Sequence, residues 1–426
     1  MNQSYKMTLE IIENYRLICG RDAHNIENWL VLGRCLVDVQ RYDEAQEALT
    51  KIFEEGRFFS FRNGVPRLRL SSLFHWRRNR LFFAKAYSDL AMISLHQANL
   101  AESERQLTMA LSVFEKEEDD FEYARAANRL GMVYRLAGAF ESAEEAHYRA
   151  KSLAEKHHWD NVLAETLGNL GMVYEGKDRF DQALEQHTDA LKLLGKEEKN
   201  VFEAACLQRQ IGLCYLRKGD CNHALDAFRI CLQSFENQKE LIMQSRVLND
   251  MTLVYQAAGK DGEALKTAER SVQKAEEAGD EFELAANRLL HSGLKVERNL
   301  TDGSTEEELK KALAFFRKKN KKTENANAAA MLGLLYLRRE EWDRAESCFR
   351  ESARIEEMLH RSLGLASDYS NLGLIAQKKG QWQKAAEHWH HAALFFEKSG
   401  DNEASRHFEE QARLMWEAAG DLSRPK

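Results

Sequence analysis

Leu130-Gly131-Met132-Val133-Tyr134 returns as Leu170-Gly171-Met172-Val173-Tyr174, then as Leu332-Gly333-Leu334-Leu335-Tyr336 and Leu372-Gly373-Leu374-Ile375-Ala376. Drifted copies stand at Leu32-Gly33, Leu90-Ala91, Ile211-Gly212, Met251-Thr252 and Leu289-Leu290. The first residues of successive copies are 58, 40, 40, 41, 40, 38, 43 and 40 positions apart. A period of this length marks a solenoid, in which each unit has an apolar face that only its neighbours can cover.

Around the first of these copies, apolar residues follow helical spacing from Glu122 to Leu136, and Ala137-Gly138 ends the pattern. A second helix is predicted from about Phe140 to Glu155, with Ala143, Ala146, Ala150 and Leu153 on one stripe. Gly131 has no Cβ to hold the two antiparallel helices apart, and Ala143 plays the same part from the opposite helix. Tyr134 and Phe140 fill the space around that contact.

These positions resemble the tetratricopeptide repeat. The likeness rests on Trp29, Leu32, Gly33 and Ala45 in the first unit and on Tyr215, Gly219, Ala224 and Phe228 in the fifth. It continues through Tyr336, Trp342, Ala345 and Phe349 in the eighth and Gly380, Trp382, Ala385 and Trp389 in the ninth. Alanine takes the small second-helix position at Ala45, Ala143, Ala183, Ala224, Ala264, Ala345 and Ala385. A period near forty, against about 34 in the usual unit, resembles the longer-helix subclass of kinesin light chains and LGN/Pins adaptors. The resemblance implies an all-α, right-handed α-solenoid (superhelix) of about nine helix-turn-helix repeats with terminal capping helices. The expected division is a capping helix over 1–24, a first repeat over 25–56, an insertion over 57–83, repeats two to nine over 84–398, and a cap and tail over 399–426. The seventh repeat (283–320) is degenerate: it lacks the glycine, and Ser304 with Glu307 reads as a capping box.

Composition narrows the function. Among 426 residues only Pro66 and Pro425 are proline, so nothing breaks helices between them. The net charge of −7 makes no case for nucleic acid as a whole. No apolar run long enough to span a membrane and no secretory leader is present, so a cytoplasmic protein is expected. Cys206, Cys214, Cys221 and Cys231 lack the spacing of a zinc site and read as reduced core cysteines. No cofactor, metal site or catalytic motif is expected. Ser271 and Lys274 spell a Ser-x-x-Lys without its companion motifs. The run Glu387-His388-Trp389-His390-His391 reads as a solvated face around a core-facing Trp389. His147 and His187 occupy the aromatic position of Phe228, Phe349 and Trp389, one repeat apart. They read as buried imidazoles replacing aromatic packing, with a pH-sensitive joint as the alternative.

The family resemblance implies that positions two, five and six of each first helix line a concave groove. They include Arg125, Asn128, Arg129, Asn169, Arg209, Gln210, Arg246, Asn249, Asn287, Arg288 and Asn371, with Glu165, Asp250 and Asn327. Asparagine can pair with the backbone of an extended peptide, and arginine with carboxylates. The expected partner is therefore a protein or peptide segment, extended or helical and acidic. A second charged feature is the insertion, with Arg57, Arg62, Arg67, Arg69, Arg77, Arg78 and Arg80, seven aromatics among Phe and Trp, and no Asp or Glu. The chain's −7 and this stretch's +7 leave −14 elsewhere. Arg57 to Leu70 is expected as a loop, with the following helix extended back to Ser71. The stretch reads as a docking element for an acidic surface, on this chain or a partner. The leading function is a non-enzymatic adaptor. The alternatives are a sensor that binds a small peptide and switches a partner and, more weakly, nucleic-acid binding through the arginine stretch.

Overall fold

The computed structural model of the chain describes residues 3–22, 24–55, 59–62, 65–68, 76–195 and 200–420. It divides into two compact units, Met1–Ala227 and Phe228–Lys426. The first starts with Gln3–Arg21 (α1), Ile26–Asp38 (α2) and Tyr42–Glu55 (α3), followed by the strands Phe59–Arg62 (β1) and Val65–Leu68 (β2). It continues with Trp76–His96 (α4), Leu100–Lys116 (α5), Asp120–Leu136 (α6), Phe140–Lys156 (α7), Asp160–Gly176 (α8), Phe180–Leu194 (α9) and Val201–Arg217 (α10). The boundary between the units falls inside Cys221–Gln238 (α11). The second unit holds Leu241–Ala257 (α12), Asp261–Ala278 (α13), Glu281–Glu297 (α14), Thr305–Lys318 (α15) and Lys322–Arg338 (α16). Trp342–Met358 (α17), Ser362–Lys378 (α18), Trp382–Lys398 (α19) and Asn402–Ala418 (α20) complete it. Each unit is an α-solenoid of sequence-adjacent helices packed as pairs.

The repeated sequence positions make the pairs. A Cβ added at Gly131 would lie 2.5 Å from His147 Nε2, and one at Gly333 would lie 3.0 Å from the Phe349 ring. Gly171 stands the same way against His187, and Gly373 against the Trp389 indole. The glycine is therefore the socket, and the residue opposite is its plug. The small second-helix residues Ala45, Ala143, Ala183, Ala224, Ala264, Ala345 and Ala385 are all fully buried. The turn inside each repeat places one residue in the left-handed region: Gly138, Gly219, Gly259 and Gly380 do so with φ near 70–80°. Gln40, Ala98, Asp178 and Glu340 adopt the same φ with a side chain, a cost of about 1–2 kcal/mol each that packing overrides.

In the seventh repeat the left-handed residue, Asn299, falls 40 positions after Gly259 and 41 before Glu340, on the period, so the structure places His291-Ser292, and not the expected Leu289-Leu290, at the Leu-Gly position. Its capping also differs from the sequence expectation. The Ser304 side chain makes no cap hydrogen bond to α15. Asp302 Oδ1 instead accepts from the backbone N–H of Ser304 (2.9 Å) and Thr305 (3.1 Å), and Lys295 Nζ donates to Oδ2 at 2.8 Å. A carboxylate two residues earlier, tied to a lysine, offers more acceptors than the serine hydroxyl. Asp302→Ala is expected to destabilise the chain by about 1 kcal/mol, the usual worth of such a cap. Urea unfolding that leaves the midpoint unmoved would refute this.

The insertion holds a two-stranded antiparallel hairpin rather than a plain loop, with Phe59 opposite Leu68 and Arg62 opposite Val65. Pro66 is tolerated because a two-stranded ladder consists only of edges. The described part of the next helix begins at Trp76, and residues 71–75 lie outside the described set. Beyond the hairpin, Phe83 stacks on Phe53 with ring centroids 5.4 Å apart. Phe82 and Phe83 pack on a core that joins Ile12, Leu30, Leu49 and Ile93.

Candidate ligand-binding cavity

In the first unit, several residues expected to face a partner are used inside the wall. Asn128 and Asn169 are buried, and Asn169 Nδ2 donates to Asn128 Oδ1 at 3.1 Å across one repeat. His147 Nδ1 donates to the same oxygen at 2.7 Å. Arg129 donates to Ser88 O (3.0 Å), Ser88 Oγ (2.9 Å) and Asp89 Oδ1 (2.8 Å). Asp89 also accepts from Arg34 Nε at 2.7 Å, and Arg34 reaches Glu122 at 3.2 Å. Burial pushes the Asp89 carboxyl up, but the Arg129 and Arg34 guanidiniums outweigh it and hold it below the usual range. Arg125 pairs with Glu122 at 3.4 Å. Arg209 and Gln210 are half-buried on α10.

The second unit divides the expected residues in the same way. Asn287 is fully buried and donates to Ser245 Oγ (2.6 Å) and Ser271 O (3.2 Å). Ser271 is thereby a buried structural residue, and Lys274 pairs instead with Glu277. Arg246 pairs with Glu283 at 2.6 Å and Arg288 with Glu276 at 3.4 Å. Asn371 Nδ2 donates to Ser367 O on its own helix. Asn249 stays at the surface of a cavity, together with Asn327.

That cavity, of about 460 Å³, is lined chiefly by α12, α14, α16 and α18, the first helices of four successive repeats. Leu253, Ala286, Leu289, Leu290, Ala330 and Met331 form its apolar walls. Leu289 and Leu290 supply wall, while Ser292, at the glycine position of this repeat, is fully buried and donates to Glu308 Oε2 at 2.7 Å. Two carboxylates also line it. Asp368 is 2% exposed and Glu356 3%, and neither Asp368 Oδ2 nor Glu356 Oε2 has a hydrogen-bond partner among the described residues. Arg361 Nε stands 3.3 Å from Glu356 Oε2, but not in hydrogen-bonding alignment. Burial pushes the Asp368 carboxyl up, Ser352 hydrogen-bonds it, and Glu356 pushes it further, to about 7. Burial raises Glu356 as well, with Arg361 opposing. The groove expectation omitted these carboxylates because it considered only positions two, five and six. The signal available for Asp368 was an acid on a first-helix face next to the small residues Gly364 and Ser367. A Cβ at Gly364 would collide with the Glu356 carboxyl, so this glycine makes room for it.

Other chemistry-bearing groups are paired internally. His187 Nε2 bonds Glu175 Oε1 at 2.7 Å. Their ligand atoms lie within 4.8 Å of one another and of Cys214 Sγ. Arg135 lies close enough to act electrostatically on Glu175, so this cluster already holds a cation and two donors for its carboxylate. His147 and His187 are fully buried in the glycine sockets, the place of the aromatic ring in other repeats, and each has a hydrogen-bond partner of its own. Trp389 faces the core and donates from Nε1 to Ser370 O at 3.0 Å, while His390 pairs with Glu409. Of the arginine stretch, Arg80 reaches Glu117 at 3.3 Å. Arg62 and Arg67 sit in the hairpin strands and Arg77 and Arg78 at the start of α4, whereas Arg57 and Arg69 lie outside the described residues. Among the described residues no helix is long and apolar enough to cross a membrane.

Comparison with known proteins agrees with this architecture. Two models of the tetratricopeptide repeat match, over residues 82–156 and 328–361. The chain thus carries tetratricopeptide repeats in these two stretches. Aspartyl phosphate phosphatase F from Bacillus subtilis superposes with a TM-score of 0.56 at 16% identity, covering 84% of this chain and 95% of that one. The apo quorum sensor NprR from B. thuringiensis gives 0.54 at 12% identity, over 93% and 99%. A Rap protein complexed with competence and sporulation factor gives 0.51 at 15% identity, over 79% and 98%. At such identities the likeness concerns the fold alone. No curated protein matches the chain by sequence.

Proposed function

We propose that the chain is a non-enzymatic adaptor that holds a peptide segment of another protein, anchored in the cavity of the second unit. The observation that carries this reading is the cavity itself. Its volume of about 460 Å³ lies within the ~300–1,000 Å³ typical of ligand sites. Its walls are apolar, and Asn249 and Asn327 stand among them as amides able to pair with peptide backbone. Two structurally similar proteins point the same way by their descriptions, one as a quorum sensor and one complexed with a factor. The preference for an acidic segment loses support, because Arg125, Arg129, Arg246 and Arg288 each have a carboxylate of this chain beside them. The arginine stretch is better read as docking on the chain's own acidic body, as Arg80 does on Glu117.

The test is selection from a random-peptide display library. Wild type should enrich a peptide family, and Ala330→Trp, which fills the cavity, should reduce capture at least tenfold with an unchanged helical spectrum. No enrichment, or enrichment that survives Ala330→Trp, would overturn the proposal. A sensor is the second reading, favoured because one ligand would touch four repeats at once. Ligand-induced protection from hydrogen exchange in all four first helices would support it over a passive adaptor.

A further inference from the structure

We propose that the cavity of the second unit recognises a cationic group on an apolar stem, with Asp368 and Glu356 as its counter-ions. This rests on the peptide-binding reading above and names the chemistry of the bound group.

Two carboxylates removed from water need a compensating charge or hydrogen bonds, since an unpartnered acceptor in an apolar site is costly. Asp368 has Ser352 for one oxygen and nothing for Oδ2. Glu356 has only Arg361, which is not aligned for a hydrogen bond and has a substantially exposed side chain. Both acids line the cavity. Gly364 leaves the Glu356 carboxyl the room it occupies. Elsewhere in this chain buried acids are neutralised in place, as Asp89 is by two arginines. Here the second cation is missing, and the space beside the acids is hollow and walled by Leu289, Leu290 and Met331. An ammonium or guanidinium at the end of a hydrocarbon chain satisfies both halves: its stem covers the leucines and its head donates to the free oxygens. Acetate-like or neutral ligands of the same length satisfy only the first.

The expected ligand is a lysine or arginine side chain or an amino terminus of the captured peptide. A free alkylamine carries the same chemistry. The remaining charged groups of the lining are Arg361 and Glu297, and the lining residues of α12 and α16 carry no charge. Asp368 therefore dominates the pH response. Its carboxyl is half-protonated near pH 7, so cation affinity should rise about tenfold between pH 6 and pH 8.

The experiment uses the full chain and three probes of equal length, n-hexylammonium, n-hexanol and n-hexanoate, observed by ligand-detected NMR titration. Hexylammonium is expected to bind at least tenfold more tightly than hexanol, with hexanoate weaker still. Asp368→Asn should abolish the preference and the pH dependence together. Because this change also relieves buried charge, it should not unfold the protein, and Glu356→Gln provides an independent second variant. Equal binding of the three probes, or a preference unchanged in both variants, would overturn the proposal. The display selection separates this from the reading beneath it. Captured peptides enriched in Lys or Arg support both. Capture without basic enrichment sinks the cation proposal alone. Hexylammonium binding without peptide capture sustains the cation site and sinks the peptide reading.

Discussion

Asp89→Ala is expected to cost the first unit about 3–5 kcal/mol, the range for removing one partner from a buried ion pair. Asp89 is 2% exposed and is the shared acceptor of Arg34 from α2 and Arg129 from α6. Its loss leaves Arg129 without this acceptor and Arg34 with only Glu122, at 3.2 Å. The position gives the change its leverage. Arg34 and Asp89 are 55 residues apart because the arginine-rich insertion lies between them, and this bond holds the repeats on either side together. Urea unfolding followed by hydrogen exchange in α4 and α6 measures the effect, and a loss under about 1 kcal/mol would contradict the assignment. Asp89→Leu combined with Arg34→Met and Arg129→Met should recover much of the stability, because an apolar cluster avoids desolvating three charges. Since the folded Asp89 carboxyl is held below its ordinary range, its contribution is complete above about pH 4 and is lost as pH falls below that.

The pairing of Asp89 also shows what the sequence could and could not reveal. Helix pairs, turns and sockets were readable because they depend on size at a fixed period. A glycine facing Phe349, Trp389 or His147 can be inferred from spacing alone. Polar residues on first helices were ambiguous, since Asn128, Asn169 and Asn287 suit a wall-to-wall hydrogen bond as well as a peptide backbone. Only the distance between neighbouring helices decides between the two. In the seventh repeat Leu289-Leu290 reads as a drifted Leu-Gly, yet these residues line the cavity and Ser292 stands at the glycine position. Asp368 lies at a position that the repeat pattern does not mark, so only its burial beside Glu356 gives it meaning. For Arg129 and Arg246 the carboxylate partners are 40 and 37 residues away and came into view only when the repeats were stacked, whereas Glu122, three residues before Arg125, was already visible in the sequence.

His147 provides the second large effect. The imidazole is fully buried against Gly131, donates from Nδ1 to Asn128, and has no partner for Nε2 among the described residues. Protonation would place an N–H without an acceptor against the glycine, with the Arg135 charge nearby. Burial first, and Arg135 second, hold its pKa down at about 4. In the unfolded chain the same histidine titrates near 6.5. As pH falls below about 6.5 the unfolded state takes up a proton that the folded state refuses, so stability drops until the pH reaches the folded value near 4. The interval corresponds to about 3 kcal/mol. His147→Phe should remove this part of the pH dependence, because the equivalent socket at Gly333 already takes Phe349. The Asn128 carbonyl keeps its bond from Asn169 in that variant, so no acceptor is stranded. Hydrogen exchange in α6 and α7, compared between wild type and His147→Phe from pH 7 to pH 4.5, isolates the term from the general acid response. Parallel loss of protection in the two proteins would show that His147 is protonated in the folded state and that its burial does not govern the acid side of stability.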